Sequence, residues 1–377
     1  MKIVLRSASP RRKELLEKIY SKNGVGLSVG RLCIGSSDYS PELYSYDDVP
    51  FDTELKHFSI DRDKEYIIPM IKEILEVNPD LFLLASPWSP PGWMKTSGSI
   101  CGGYMRAEVI ECYADYVVRF IDEYAKCGIK ISALTPQNEP ETQQHGQMPA
   151  CIWHPDIEAA FIKVLHQKLQ AEGLDVKIWM HDHNFSQTER VLWELDAHEG
   201  LADCCDGVAY HYYGGTVRET DRVKERYPDL HLYYTESGPR LFDHYDNDWC
   251  KWTILFSQIL GGSFRTFIGW NLLLNEMGAP NIGPFTCGGL VTRHSVTGEL
   301  SYSGQYKAFS HLAPYLNRSS KIYAVTQDER FGQELSVYPK FKREACGLLI
   351  DNGDGKRVLV LANPAESKKQ TQFCIDG

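Results

Sequence analysis

Two glutamates in this chain follow short apolar runs of β-rich sequence. Glu139 lies in TPQNEPE (135–141), directly after KISAL (130–134), and Glu236 lies at the end of LHLYYTES (230–237). Two carboxyl groups can cleave a glycosidic bond with retention of configuration when they lie roughly 5–5.5 Å apart. One protonates the leaving oxygen and later deprotonates water, while the other attacks the anomeric carbon. Each glutamate could instead lie in a surface turn, so the elements around them must be considered.

Apolar, β-rich runs alternate with helical patterns along most of the chain. We predict strands at 2–5, 26–34, 81–86, 130–134, 176–181, 207–213, 230–237 and 264–271, and helices at 9–22, 64–77, 106–127, 155–173, 187–197, 218–226 and 246–261. Such alternation predicts a parallel sheet, and this number of strands favours an α/β fold, the (β/α)8 TIM barrel. A doubly wound sheet is the alternative, but the Gly-rich phosphate loop that usually follows its first strand is absent.

The pattern changes at about residue 315, where short β-rich segments joined by turns such as DNGDGK replace the alternation. We therefore predict two domains. A catalytic barrel covers 1–315, with its first strand short or missing. A small all-β, β-sandwich-like C-terminal domain covers 316–377 and is expected to be incomplete.

The active site of such a barrel lies at the C-terminal ends of its strands. If 2–5 is the first strand, Glu139 follows strand four and Glu236 ends strand seven, and these two strands face each other across the barrel mouth. Asn138 can hydrogen-bond a sugar 2-hydroxyl. We also expect the negative charge of Glu236 to raise the pKa of Glu139, so that Glu139 holds its proton until the leaving group departs.

Composition excludes several other classes of protein. A net charge of −10 without a long basic run argues against a nucleic-acid surface, and no apolar stretch is long enough to span a membrane. The 11 scattered cysteines contain no CxxC, which argues against a disulfide framework or a structural zinc site. The first residues lack the apolar core of a signal peptide, which predicts a cytoplasmic location.

Six segments resemble the glucosylceramidase-type members of glycoside hydrolase family 30, in clan A, and they occur in the same order: GVGLSVGRLCIGSSDYSPELYSYDD (24–48), ASPWSPPGWMKTSG (85–98), TPQNEPE (135–141), VAYHYY (208–213), YYTESG (233–238) and IGWNLLLNEMGAPN (268–281). The resemblance implies a retaining β-glycosidase that needs no metal or cofactor. Glu139 matches its acid/base and Glu236 its nucleophile. The residues that match its sugar-contacting positions are Asp38, Trp88, Asn138, His211, Tyr213 and Trp270.

The substrate is a carbohydrate or glycoside, and we expect exo-acting hydrolysis of β-glucosides, such as glucosylceramide-like substrates or short β-glucans. β-Xylosidase and β-1,6-glucanase activities occur in the same family and are alternatives.

Family members usually begin with further strands and a Gly-rich segment, so this chain is expected to be truncated at its N-terminus. A catalytically silent carbohydrate-binding relative is therefore a second hypothesis.

Two other hypotheses rest on local motifs. His181 and His183 in HDH follow a predicted strand and could bind a catalytic metal, with His211 or Asp38 as further ligands. The first sixteen residues also resemble the N-terminal signature of Maf-type nucleotide pyrophosphatases, although nothing later in the chain matches that fold.

Overall fold

The structure, a computed structural model, describes residues 9–242, 245, 248–325 and 346–363. Seven parallel strands form one sheet in the order in which they occur along the chain, and helices alternate with them, which confirms the predicted α/β fold. The predicted strand at 2–5 lies outside the described residues. The strands of this sheet are β1 (Val29–Ile34), β2 (Phe82–Pro87), β3 (Ala133–Leu134), β4 (Lys177–Asn184), β5 (Gly207–His211), β6 (His231–Glu236) and β7 (Phe264–Phe267).

Each predicted helix of the alternating region is present, with its ends shifted by a few residues. The α-helices are α1 (Ser9–Tyr20), α2 (Asp61–Val77), α3 (Ile110–Lys126), α4 (Pro155–Ala171), α5 (Thr188–Ala197), α6 (Asp221–Arg226), α7 (Trp249–Gly261) and α8 (Gly304–Leu312). Helix α3 illustrates how sequence directs the packing, since buried Tyr113, Tyr116, Val117 and Phe120 recur at the three- and four-residue spacing of one helix face.

A buried carboxylate anchors the long segment between β1 and α2, which carries Asp38. Asp63 on α2 accepts hydrogen bonds from the hydroxyl groups of Tyr44 (2.7 Å), Tyr46 (2.6 Å) and Tyr124 (2.5 Å). Because an unpaired carboxylate is very unfavourable in an apolar interior, these three donors stabilise one conformation of the segment.

Two smaller sheets follow the parallel one. The first contains β8 (Leu273–Leu274), β9 (Val291–Arg293) and β10 (Leu300–Tyr302); the second is antiparallel and contains β11 (Lys321–Val325), β12 (Cys346–Asp351) and β13 (Arg357–Ala362). Strands β11 and β12 pack on α7. The C-terminal antiparallel sheet is thus present as expected, while the domain bounds 1–315 and 316–377 stay a prediction.

Two further observations concern the described part of the chain. None of its helices is long and apolar enough to cross a membrane. Its ten cysteines are all free thiols.

Candidate active site

Polar side chains converge at the C-terminal ends of the parallel strands. Glu236 is the last residue of β6, His211 is the last residue of β5, and Glu139 follows β3 in the chain. His211 is the register partner of Glu236, so these two side chains leave the sheet side by side. The structure therefore brings the two predicted carboxyl groups to the same end of the sheet.

One imidazole ring contacts both carboxyl groups. His211 Nδ1 lies 3.3 Å from Glu139 Oε1, and His211 Nε2 lies 3.8 Å from Glu236 Oε2. The His211 side chain is fully buried, whereas the Glu139 and Glu236 side chains keep 13% and 7% of their surface exposed. The two glutamates thus flank one shared group and remain accessible from solvent.

Glu236 is held by two donors, one on each oxygen. Arg31 Nη1 donates to Oε2 at 2.5 Å, and the Tyr213 hydroxyl donates to Oε1 at 3.0 Å. A carboxylate with both oxygens fixed has little rotational freedom, and hydrogen bonds to a charged acceptor are among the strongest in proteins. Glu236 is therefore oriented before any ligand arrives.

Arg31 links the strands of the site, although it lies within the otherwise apolar strand β1. Its Nη2 donates to Asn138 Oδ1 and to Asp182 Oδ2, both at 2.8 Å, and its side chain is 1% exposed. The guanidinium carbon also lies 4.8 Å from the centroid of the Trp88 ring, within cation–π range. One buried cation thus contacts groups that follow β2 and β3 and a carboxylate within β4.

Asp182 occupies a β-bulge in β4. The register with β5 passes from His181 to His183, so Asp182 is the extra residue, and its φ is 53°. Left-handed backbone is unfavourable for an aspartate and persists where surrounding contacts enforce it. The bulge turns this carboxylate inward beside the Glu236 anchor Arg31.

Five donors surround the Asp182 carboxylate. Oδ1 faces His211 Nε2 (3.0 Å) and Thr235 (2.7 Å), and Oδ2 accepts from Thr135 (2.7 Å), Ser86 (3.1 Å) and Arg31 (2.8 Å). Burial alone would raise the pKa of this carboxyl, but the charge of Arg31 and the His211 contact hold it well below its usual range. Asp182 is therefore a permanent negative charge beneath the site.

Glu139 differs from the expectation drawn from sequence. Burial alone would raise its pKa, but the hydrogen bond with His211 and the nearby imidazoles of His183 and His211 lower it to about 2. The expectation that Glu236 would raise this pKa was wrong, because the neighbour in contact with Glu139 is an imidazole rather than a carboxylate. Its left-handed φ of 51° and a backbone hydrogen bond to Asp182 O (3.1 Å) fix its position.

His211 holds the proton that Glu139 lacks. Burial alone would lower the pKa of His211, but the charge of Glu236 and the hydrogen bonds to Asp182 and Glu139 raise it to about 9. The ring is therefore an imidazolium at neutral pH and donates from both nitrogens. Glu139 and His211 share one proton, which lies on the imidazole.

The predicted aromatic residues form one wall beside this group. Trp88 and Trp270 stack with ring centroids 4.8 Å apart, and Tyr39 meets Trp270 edge-on at 5.9 Å.

Asp38 is buried, and its Oδ1 has no hydrogen-bond partner. Burial, followed by the charges of Glu236 and Glu139, raises the pKa of Asp38 well above its usual value.

The histidines of HDH point to different surroundings. His181 packs its ring edge-on to Tyr210 at 5.3 Å, and its Nε2 lies 3.3 Å from the Asn184 carbonyl oxygen. His183 lies with its Nδ1 3.9 Å from Glu139 Oε1. Within the described ranges, the one group of three side chains arranged as metal ligands is Glu139, His183 and His211. His183 and His211 were named in the metal hypothesis, whereas Glu139 was not, and His181 and Asp38 are not part of the group, so its ligand set differs from the one expected from sequence.

Two charged residues of the site were missed in the sequence. Arg31 was included in the strand at 26–34 without a role, although a lone arginine in an apolar strand signals a buried ion pair. Asp182 lies between the two histidines of HDH and was not predicted as a site residue, because no signal in the sequence marks the bulge that turns its carboxylate inward.

The chain is similar to a known protein family and to several known proteins. Residues 2–299 match the model of the glycosyl hydrolase family 30 TIM-barrel domain. The lysosomal acid glucosylceramidase of Mus musculus is 29% identical over 302 residues, which cover 74% of this chain and 58% of that protein. An endo-1,6-β-D-glucanase of Neurospora crassa is 26% identical over 373 residues, which cover 94% and 74% of the two chains. The structure of SrfJ from Salmonella typhimurium superposes with a TM-score of 0.84 at 26% identity, over 96% of this chain and 80% of that one.

Proposed function

Because the chain belongs to glycosyl hydrolase family 30, we propose that this glycoside hydrolase cleaves β-glucosidic bonds with retention of the anomeric configuration. Glu236 is the nucleophile and Glu139 is the acid/base. The observation that carries the proposal is the arrangement of the two carboxyl groups on opposite nitrogens of one imidazole, His211, at 3.3 and 3.8 Å. Retaining glycosidases require two such groups on opposite sides of the scissile bond.

In the first step, a Glu236 oxygen attacks the anomeric carbon as the bond to the leaving oxygen breaks. The resulting covalent glycosyl-enzyme neutralises the carboxylate. Arg31 and Tyr213 keep the attacking group in a fixed orientation, so that little of the substrate's binding energy is needed to align it.

The leaving oxygen takes a proton from the Glu139–His211 pair. In the free enzyme this proton lies on His211, and the charge of Glu236 is the strongest interaction that keeps it there. As the bond to Glu236 forms, that charge is lost, and the proton passes through Glu139 to the leaving oxygen while its bond to the anomeric carbon breaks. In the second step, Glu139 takes a proton from water, the glycosyl-enzyme is hydrolysed, and the charge of Glu236 returns the proton to His211.

Three features are suited to a sugar ring. The stacked Trp88–Trp270 pair offers an aromatic wall, and the unpartnered oxygen of Asp38 is available to a ring hydroxyl. Because Asn138 Oδ1 accepts from Arg31, the amide nitrogen of Asn138 remains to donate to the sugar 2-hydroxyl. This is the hydroxyl nearest to the reacting carbon.

The substrate that we propose is a β-glucoside attacked from its non-reducing end, either glucosylceramide-like or a short β-glucan. The similarity to a glucosylceramidase supports the first and the similarity to an endo-1,6-β-D-glucanase supports internal cleavage of β-1,6-glucan as a second candidate. Hydrolysis of lipid-linked glucoside and of β-1,6-glucan oligomers by the same preparation distinguishes them. The cytoplasmic location stays a prediction.

The test is hydrolysis of aryl β-glycosides (glucoside, xyloside, galactoside and fucoside) by the chain and its Glu236→Ala and Glu139→Ala variants. Glu141→Ala is the matched control, because Glu141 lies in the same NEPE segment and pairs with Arg190 instead. We expect the control to retain activity and Glu236→Ala to lose it. Azide should rescue Glu236→Ala with formation of an α-glycosyl azide and Glu139→Ala with formation of a β-glycosyl azide.

The leaving group adds a sharper criterion. A dinitrophenolate needs no proton, so Glu139→Ala should cleave dinitrophenyl glycosides far better than it cleaves alkyl glycosides. Release of the α-anomer as first product, or an active Glu236→Ala variant, would refute the mechanism. A folded chain that binds glucosides and cleaves none would support the silent carbohydrate-binding relative.

A further inference from the structure

The acid/base side of the site has a feature that hydrolysis does not require. His183 is buried, and its Nδ1 has no hydrogen-bond partner in the structure. An imidazole nitrogen without a partner in a closed environment is uncommon, because burying a polar atom unpaired is unfavourable. The atom faces Glu139 Oε1 at 3.9 Å, beyond hydrogen-bond distance.

The same carboxylate oxygen faces a second imidazole nitrogen. Glu139 Oε1 lies 3.3 Å from His211 Nδ1, and the three candidate ligand atoms of Glu139, His183 and His211 all lie within 4.8 Å of one another. Ligand atoms about 2.0–2.1 Å from a tetrahedral zinc ion are separated from each other by roughly 3.3 Å. The separation of 3.3 Å already matches that geometry, whereas the separation of 3.9 Å and the one between the two imidazoles, at most 4.8 Å, need an inward movement of the side chains.

The contacts behind His211 also match a metal ligand. His211 Nε2 lies 3.0 Å from Asp182 Oδ1, which leaves Nδ1 as the nitrogen aimed at Glu139 and His183. Histidines that bind metals usually donate their other nitrogen to a carboxylate or carbonyl, which fixes the ring and increases its basicity. This pairing is present before any ion binds.

We propose that Glu139, His183 and His211 bind one zinc ion and that the bound ion blocks hydrolysis by occupying the acid/base. Zinc takes the place of the proton that His211 Nδ1 donates to Glu139 Oε1, and that proton is released to solvent. Two imidazoles and one carboxylate leave a fourth position for water. The blocking effect rests on the proposed role of Glu139, whereas the binding of zinc does not.

The test measures zinc binding to the full chain by calorimetry, together with aryl β-glucosidase activity over a zinc titration, for the unmodified chain and His183→Gln. The matched control is His57→Gln, because His57 also lies beside a carboxylate (Asp52 Oδ2, 2.8 Å) but its side chain is 61% exposed. The cysteines are unchanged in all three proteins, so zinc held by thiols does not affect the comparison.

We expect one binding event that His183→Gln weakens at least about tenfold, with the same increase in the zinc concentration needed for half-inhibition, and no change in His57→Gln. Crystals of the unmodified chain soaked in zinc should show anomalous density within about 2.1 Å of the three ligand atoms, which tests the site even if His183→Gln misfolds. Equal binding by all three proteins, or no anomalous density there, would overturn the site. Activation by zinc would overturn the proposed inhibition. If zinc binds at this site in a folded chain that cleaves no glycoside, the proposed function is refuted and the zinc site is not.

Discussion

Replacing Asp182 by asparagine tests whether a buried charge supports the site. The substitution keeps the shape of the side chain and removes its negative charge. Its two oxygens accept from donors on opposite sides, with Arg31 on Oδ2 and His211 on Oδ1. An amide has one acceptor oxygen, so whichever way it turns, its NH₂ group faces a cationic donor. The guanidinium or the imidazolium then loses one of its buried carboxylate contacts.

The expected loss of stability follows from burial. The Asp182–Arg31 pair has an N···O distance of 2.8 Å and side-chain exposures of 0% and 1%. Removing one partner of a buried pair destabilises a protein by about 3–5 kcal/mol when the other charge is left uncompensated. Arg31 keeps its contact with Glu236 at 2.5 Å, so the expected loss lies toward the lower end of that range. The free energy of unfolding of a native protein is about 5–15 kcal/mol, so the variant should be markedly less stable but still able to fold.

The assay is urea unfolding at pH 7, followed by tryptophan fluorescence, with Asp61→Asn as the control. Asp61 has a lysine partner, Lys64, at the same 2.8 Å distance, but its side chain is 77% exposed. The control should unfold as the unmodified chain does, since exposed ion pairs contribute little. A deficit below about 1 kcal/mol for Asp182→Asn, or one equal to the control's, would refute the reasoning.

The pH dependence gives an independent check on the same variant. The pKa of Asp182 is held below its usual range in the folded state, and an unfolded aspartate titrates near about 3.9. Below that value the unfolded chain takes up a proton that the folded chain does not, so the stabilisation declines as pH falls. The deficit of Asp182→Asn should therefore be full above about pH 5 and should shrink on acidification. A deficit that is constant from pH 7 to pH 3 would show that the charge is not its cause.

Two further predictions concern Asn138 and His211, which lie beside Glu139 and Glu236. Asn138→Ala should lower kcat/KM on an aryl β-glucoside by on the order of 100-fold and leave the corresponding 2-deoxyglucoside nearly unaffected, because the lost contact is to the 2-hydroxyl; equal losses on both substrates would refute that contact. His211, whose pKa is raised to about 9, contributes stability that is fully present below the unfolded histidine pKa of about 6.5 and is lost as pH rises toward 9. The unmodified chain should therefore lose up to about 3 kcal/mol of unfolding free energy between about pH 6.5 and pH 9. In urea titrations at several pH values, the unfolding free energy of His211→Gln should change less with pH. If the two proteins show parallel pH profiles, the assignment of the proton to His211 is contradicted.

The position of the two carboxyl groups could be predicted because it depends on the order of the elements. Apolar runs that alternate with helical patterns define parallel strands, and polar residues that end those runs must lie at one edge of the sheet. This rule places Glu139 and Glu236 at that edge, while their roles were predicted from the resemblance to family 30. The alternation also predicted the helices to within a few residues, since their apolar spacing is long and regular.

The interior of the site could not be predicted in the same way. Side chains alternate along a regular strand, which places His181 and His183 on one face and Asp182 on the other. The bulge at Asp182 breaks this alternation, so that His183 joins Glu139 while His181 packs on Tyr210. A bulge depends on tertiary contacts to its extra residue, and these cannot be read from local sequence. The pKa of Glu139 was mispredicted for a related reason, because its imidazole neighbour comes from a distant strand.

The charges assembled by these contacts suit the proposed reaction. The carboxyl groups of Asp182, Glu139 and Glu236 contact two cations, Arg31 and the imidazolium of His211, so that within this cluster the acidic groups outnumber the cations by one. The transition state of glycoside hydrolysis resembles an oxocarbenium ion and carries positive charge. A preorganised site with one excess negative charge stabilises that state more than the neutral substrate, which is the differential binding that catalysis needs.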